Sequence, residues 1–169
     1  EKLGDYQGAI ADYSKAIEID PQYALAYNNR GTAKNDLGDH QGAIADYNKA
    51  IELDPQDALA YNNRGNAKSK SGDQQGAIAD FNKALEIETK YANAYSNRGI
   101  AKVKLGDYQR AIADFNKAIQ IDPQHADAYA GRGMARLILM NKIGACQDIE
   151  KSYQLGKKTS GKLFNNYCR

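Results

Sequence analysis

The chain has 169 residues, with 23 Lys and Arg against 21 Asp and Glu, a net charge of +2 and 42% apolar residues. This ordinary balance excludes a collagen, an acidic disordered tail and a supercharged nucleic-acid binder. The longest aliphatic run, Leu137-Ile138-Leu139-Met140, is far short of the roughly 20 residues a membrane-spanning helix needs.

Taken in chain order, the elements repeat. Gly4, Gly38, Gly72 and Gly106 recur at a step of 34 residues, and each is followed by Asp. Residues 24–57 and 58–91 are identical at 22 of 34 positions. Such a period marks a stacked array in place of one single-core domain. Residues 1–23 read as a partial repeat: the end of one helix at Glu1 to Leu3, then one complete helix. The sequence therefore reads as beginning inside a repeat, as a piece of something longer would. Residues 24–57, 58–91 and 92–125 are full repeats.

Within 24–57, small residues recur at helical spacing over 24–37, and Gly38 suits the left-handed turn that stops a helix. A second apolar stripe, Ala43, Ile44, Tyr47, Ala50, Ile51 and Leu53, spans 41–53. Asp54-Pro55 ends it, because a residue before proline leaves the helical region. The prediction is all-α, with two antiparallel helices per period and no strands. Residues 126–159 form a divergent repeat, with Met140 replacing the inter-helix Gly and Ile149 the aromatic. Residues 160–169 read as a cap helix, with Leu163, Phe164 and Tyr167 covering part of the apolar surface on the last repeats.

The columns Tyr27, Gly31, Ala43, Tyr47, Ala50 and Pro55, repeated as Tyr61, Gly65, Ala77, Phe81, Ala84 and as Tyr95, Gly99, Ala111, Phe115, Ala118, Pro123, resemble the tetratricopeptide repeat. The wording is most similar to bacterial, especially cyanobacterial, arrays. Arg30 and Lys34 depart from the Leu and aromatic of the family pattern. The resemblance implies an α-solenoid coiled into a right-handed superhelix that binds proteins without catalysis. Its inner wall would be lined by the first helix of each pair. Carried over residue by residue, the candidate groove positions are Asn28, Asn29, Asn62, Asn63, Asn66, Asn97, Ile100 and Val103. A carboxamide both donates and accepts, so a ladder of Asn can hold an extended peptide backbone of any sequence. The bland alternative is repeat inheritance on a solvated face.

The Arg column and the Asp column supply one acid per arginine. An inter-repeat ladder is expected: Asp12–Arg30, Asp46–Arg64, Asp80–Arg98 and Asp114–Arg132, with pairing inside each repeat (Arg30 with Asp46) the close competitor. Cys146 reads as a buried thiol and Cys168 as an exposed one. His40 and His125 have no second ligand at metal spacing, and no catalytic constellation, cofactor motif or phosphate loop stands out. The expected partner is a protein or peptide, with no nucleic acid and no membrane insertion. A self-associating structural module is the alternative, through the unmatched face of Ala9, Tyr13 and Ala16. A chaperone-tail reader is weaker, because the cations of that family's carboxylate clamp are absent. Nucleic-acid binding rests only on the basic end, Lys151, Lys157, Lys158, Lys162 and Arg169. With no leader expected, the cytoplasm is the favoured compartment.

Overall fold

A computed structural model describes residues 5–168; the helix end expected at Glu1 to Leu3 lies outside them. The chain forms two units, divided after Glu88. In the first are α1 (Tyr6–Ile19), α2 (Ala24–Asp36), α3 (His40–Leu53), α4 (Ala58–Lys70) and α5 (Gln74–Ile87). The second holds α6 (Ala92–Lys104), α7 (Tyr108–Ile121), α8 (Ala126–Ile138), α9 (Lys142–Gln154) and α10 (Lys158–Tyr167). Every element among the described residues is helical.

The Gly-Asp pair does two jobs at each hairpin. Gly38 adopts φ 87°, a conformation open to glycine at no steric cost. The next residue, Asp39, caps α3 by accepting from the Gly42 amide at 2.9 Å, which satisfies one of the helix's orphan donors. Asp5, Asp73 and Asp107 cap α1, α5 and α7 in the same way. Met140 takes the glycine's place before α9 at φ 61°, and its side chain is 90% exposed. At the other corner, Asp54 is extended with ψ 90°, as the following proline requires. Glu88 adopts the same conformation, ψ 94°, before Thr89, so the corner outlasts the loss of its proline.

Packing within each pair depends on one glycine and one ring. A Cβ on Gly65 would lie 2.7 Å from the Phe81 ring. Tyr47, Phe81 and Phe115 are wholly buried between their helices, as the stripe predicted, and Ile149 fills the same place between α8 and α9. Consecutive pairs then stack within each unit, α3 on α4 and α7 on α8. Ala50, Ile51 and Ala60 with Tyr27 and Tyr61 form one such junction.

The C-terminal end differs from expectation in three ways. The cap helix starts at Lys158 and packs on α9, leaving Met134 and Ile138 of α8 exposed. Its packing face is α9, and it leaves these two α8 residues uncovered. Cys146 and Cys168 are joined in a disulfide, with Cα atoms 5.5 Å apart, and neither is a free thiol. The reason is geometric: α10 folds back along α9 and brings its last turn beside the start of that helix. Ser152 and Ser160, both fully buried, bond through their hydroxyls at 2.8 Å, and Lys157 pairs with Asp127.

Candidate functional site

The charged columns assemble into one unit repeated four times. Arg30 binds Asp46 through two parallel bonds, Nε to Oδ2 at 2.9 Å and Nη2 to Oδ1 at 2.7 Å. Arg64–Asp80, Arg98–Asp114 and Arg132–Asp148 repeat that fork. Each carboxylate takes a second cation one helical turn further along: Lys34, Lys68, Lys102 or Arg136, at 2.7–2.8 Å. Each guanidinium also lies 5.3–5.6 Å from the centre of a tyrosine ring three residues before it, within cation–π range.

The inter-repeat ladder is thus corrected: the acid partner lies in the same repeat. The link to the preceding repeat exists, but it is neutral. Arg30 Nη1 donates to Ser14 Oγ at 3.1 Å, Arg64 Nη1 to Asn48 at 2.7 Å and Arg132 Nη1 to Asn116 at 2.6 Å. Those partners sit two residues beyond Asp12, Asp46 and Asp114, so half a helical turn decides which side chain is reached. Asp12 stands exposed. Burial and pairing pull on Arg30 in opposite senses, and the hydrogen bond to Asp46 prevails, raising its pKa above the ordinary value. The cations of α2, α4, α6 and α8 in these two columns are thus held in pairs by one buried carboxylate per repeat.

The Asn columns divide. Asn28 and Asn62 are buried, so their carboxamides are spent inside the stack and not offered to a ligand. Asn28 Oδ1 accepts from Asn63 Nδ2 at 3.2 Å, a bond joining α2 to α4. Asn29, Asn63, Asn66 and Asn97 are half-buried, and Leu25 and Leu59 beside them are about half exposed. On the second unit Ile100 and Met134 are exposed, whereas Val103 packs against the Phe115 cluster. Ser96, the counterpart of Asn28, has a buried hydroxyl without a hydrogen-bond partner. Residue 131, the counterpart of Asn63 and Asn97, is glycine. Leu25 and Leu59, which the family pattern also places at inward positions of the first helices, flank the Asn face and are about half exposed.

A family model described as TPR repeat matches residues 2–35, 31–72 and 66–106, and one described as tetratricopeptide repeat matches 92–125. The chain belongs to the tetratricopeptide repeat family. Solved repeat proteins of this family share the fold. A structure of MamA is 29% identical, with a TM-score of 0.80 over 94% of this chain and 92% of that one. The first TPR of Spaghetti (RPAP3), bound to an HSP90 peptide, is 26% identical with a TM-score of 0.68 over 72% and 96%. The Arabidopsis OM64 TPR domain is 31% identical with a TM-score of 0.66 over 67% and 93%. Among curated proteins no relative matches the chain. No helix among the described residues is long and apolar enough to cross a membrane. The tetratricopeptide array is an all-α solenoid of helix pairs, the architecture of a protein-interaction scaffold.

Proposed function

We propose that this array binds an extended segment of a protein partner on the Asn-bearing faces of its first helices, without catalysis. The observation that carries the reading is the Asn63–Asn28 bond. Asn63 donates one N–H to a buried acceptor, which fixes its carboxamide and leaves its carbonyl oxygen to accept from a ligand backbone. Asn29 and Asn66 flank it, and the half-exposed Leu25 and Leu59 supply apolar contact. The peptide held by the Spaghetti domain supports the mode but not the ligand. The cations that would clamp an acidic tail are replaced here by Asn28, Asn62 and Ser96 and by Leu25 and Leu59, so we place a neutral or mixed segment above an acidic tail. The Cys146–Cys168 disulfide favours work in an oxidising compartment, where such bonds persist.

The test is selection of binding peptides on the intact chain. Asn63→Ala should weaken the selected peptide at least fivefold, while Asn48→Ala, which alters a different column, should not. Equal binding by wild type and Asn63→Ala removes the proposal.

A further inference from the structure

The repeats serve as controls for one another, and one cleft departs from the rest. Between the amino end of α6 and the last turns of α7, Thr89, Lys90, Tyr95, Lys117, Gln120 and Ile121 line a cleft of about 390 Å³. One repeat earlier the same positions hold Pro55, Gln56, Tyr61, Lys83, Glu86 and Ile87; two repeats earlier they hold Pro21, Gln22, Tyr27, Lys49, Glu52 and Leu53. In both earlier clefts a single lysine is neutralised by its glutamate, Lys83 to Glu86 at 2.6 Å and Lys49 to Glu52 at 2.8 Å. In the α6–α7 cleft the glutamate has become Gln120, whose oxygen lies 3.3 Å from Lys117 Nζ. The glutamine before the helix has become Lys90, and the proline has become Thr89. The six positions carry two positive charges and no acid, where their counterparts carry none net. The acid at the corner before them, Asp54 or Glu88, is common to both corners and cancels from the comparison.

We infer that this cleft is a phosphate-binding site, accepting the phosphoryl dianion of inorganic phosphate or of a phosphorylated side chain. Two ammonium groups match the charge of a phosphate monoester at neutral pH. The Thr89 and Tyr95 hydroxyls and the Gln120 amide add neutral donors for its remaining oxygens. Lys is well suited to phosphate as a mobile point charge. A carboxylate, with one charge and two oxygens, would satisfy only part of this set.

The experiment is a chemical-shift titration of the intact chain at constant ionic strength, with inorganic phosphate, with a capped tripeptide centred on phosphoserine, and with acetate. Saturable shifts at Lys90, Lys117 and Gln120, at least fivefold tighter for phosphoryl ligands than for acetate, support the site; the tighter of phosphate and phosphopeptide identifies its source. Lys90→Gln with Gln120→Glu restores the charge pattern of the other repeats and should weaken binding at least tenfold. Lys117→Gln, which leaves the corner untouched, should weaken it as well. Equal shifts around Lys49 and Lys83, acetate binding as tightly as phosphate, or unchanged affinity in both variants would overturn the assignment.

Discussion

Arg64 and Asp80 lie 16 residues apart, on opposite arms of one hairpin, and meet through two bonds of 2.9 and 2.6 Å. Asp80 is buried and also receives Lys68 at 2.8 Å. A buried carboxylate that serves two cations is costly to remove, because both are left without an anion. Asp80→Ala is therefore expected to destabilise the chain by about 3 kcal/mol in urea unfolding. The exposed Asp12, which an inter-repeat ladder would make equivalent, should cost under about 0.5 kcal/mol as alanine. Replacing Arg64 and Lys68 by methionine in the Asp80→Ala background should recover much of the loss, since well-packed apolar groups substitute for buried ions at little cost.

A second expectation concerns the inter-helix turn. Met140 holds φ 61° where Gly38 holds 87°. A non-glycine side chain in that region costs roughly 1–2 kcal/mol, and the 90% exposed Met140 side chain offers little packing in return. Met140→Gly should raise the urea midpoint by an amount worth about 1 kcal/mol, and Gly38→Ala should lower it similarly.

The tyrosine in the ring column gives a pH signature. Burial pushes the Tyr47 hydroxyl above its ordinary value of 10.0, an effect its hydrogen bond to Thr32 partly offsets. With the folded pKa raised, the neutral phenol's contribution is fully present below pH 10 and is lost as pH rises through the folded value. Stability should fall above pH 10 more steeply in the wild type than in Tyr47→Phe. At pH 7 that variant should differ by under about 1 kcal/mol, the usual net worth of one hydrogen bond. Phe81 and Phe115 already stand in that column. Parallel alkaline curves for the two proteins would contradict the assignment.

The disulfide predicts where stability is concentrated. It links residues 22 apart in sequence, a closure that in chain-entropy terms is worth about 3 kcal/mol. Reduction, or Cys146→Ser with Cys168→Ser, should release amide protection across α10 and at Ser160 while α6 and α7 stay protected. Uniform loss of protection through the second unit would show that α10 holds more than its own end.

These outcomes also show what a sequence discloses. The 34-residue step and the Gly-Asp and Asp-Pro punctuation placed helix ends within a residue or so, because caps and prolines act locally. Partner choice was less legible. Arg64 is 18 residues from Asp46 and 16 from Asp80, and both spacings bring an acid near; only the packed angle between helices favours the hairpin partner. Asn28 and Asn63 occupy adjoining columns with the same side chain, yet one is buried and the other half-buried, a difference set by the stacking of the next repeat. The Cys146–Cys168 bond required knowing that α10 doubles back on α9, and nothing in the last twelve residues' pattern specifies that direction.

The most direct test of the account follows the side-chain carboxamide of Asn63 by NMR while a selected peptide is added to the intact chain. Shifts at Asn63, Asn29 and Asn66, with intermolecular contacts to Leu25 or Leu59, are the predicted result. Binding that instead perturbs α3 and α5 and leaves those carboxamides unmoved would contradict it.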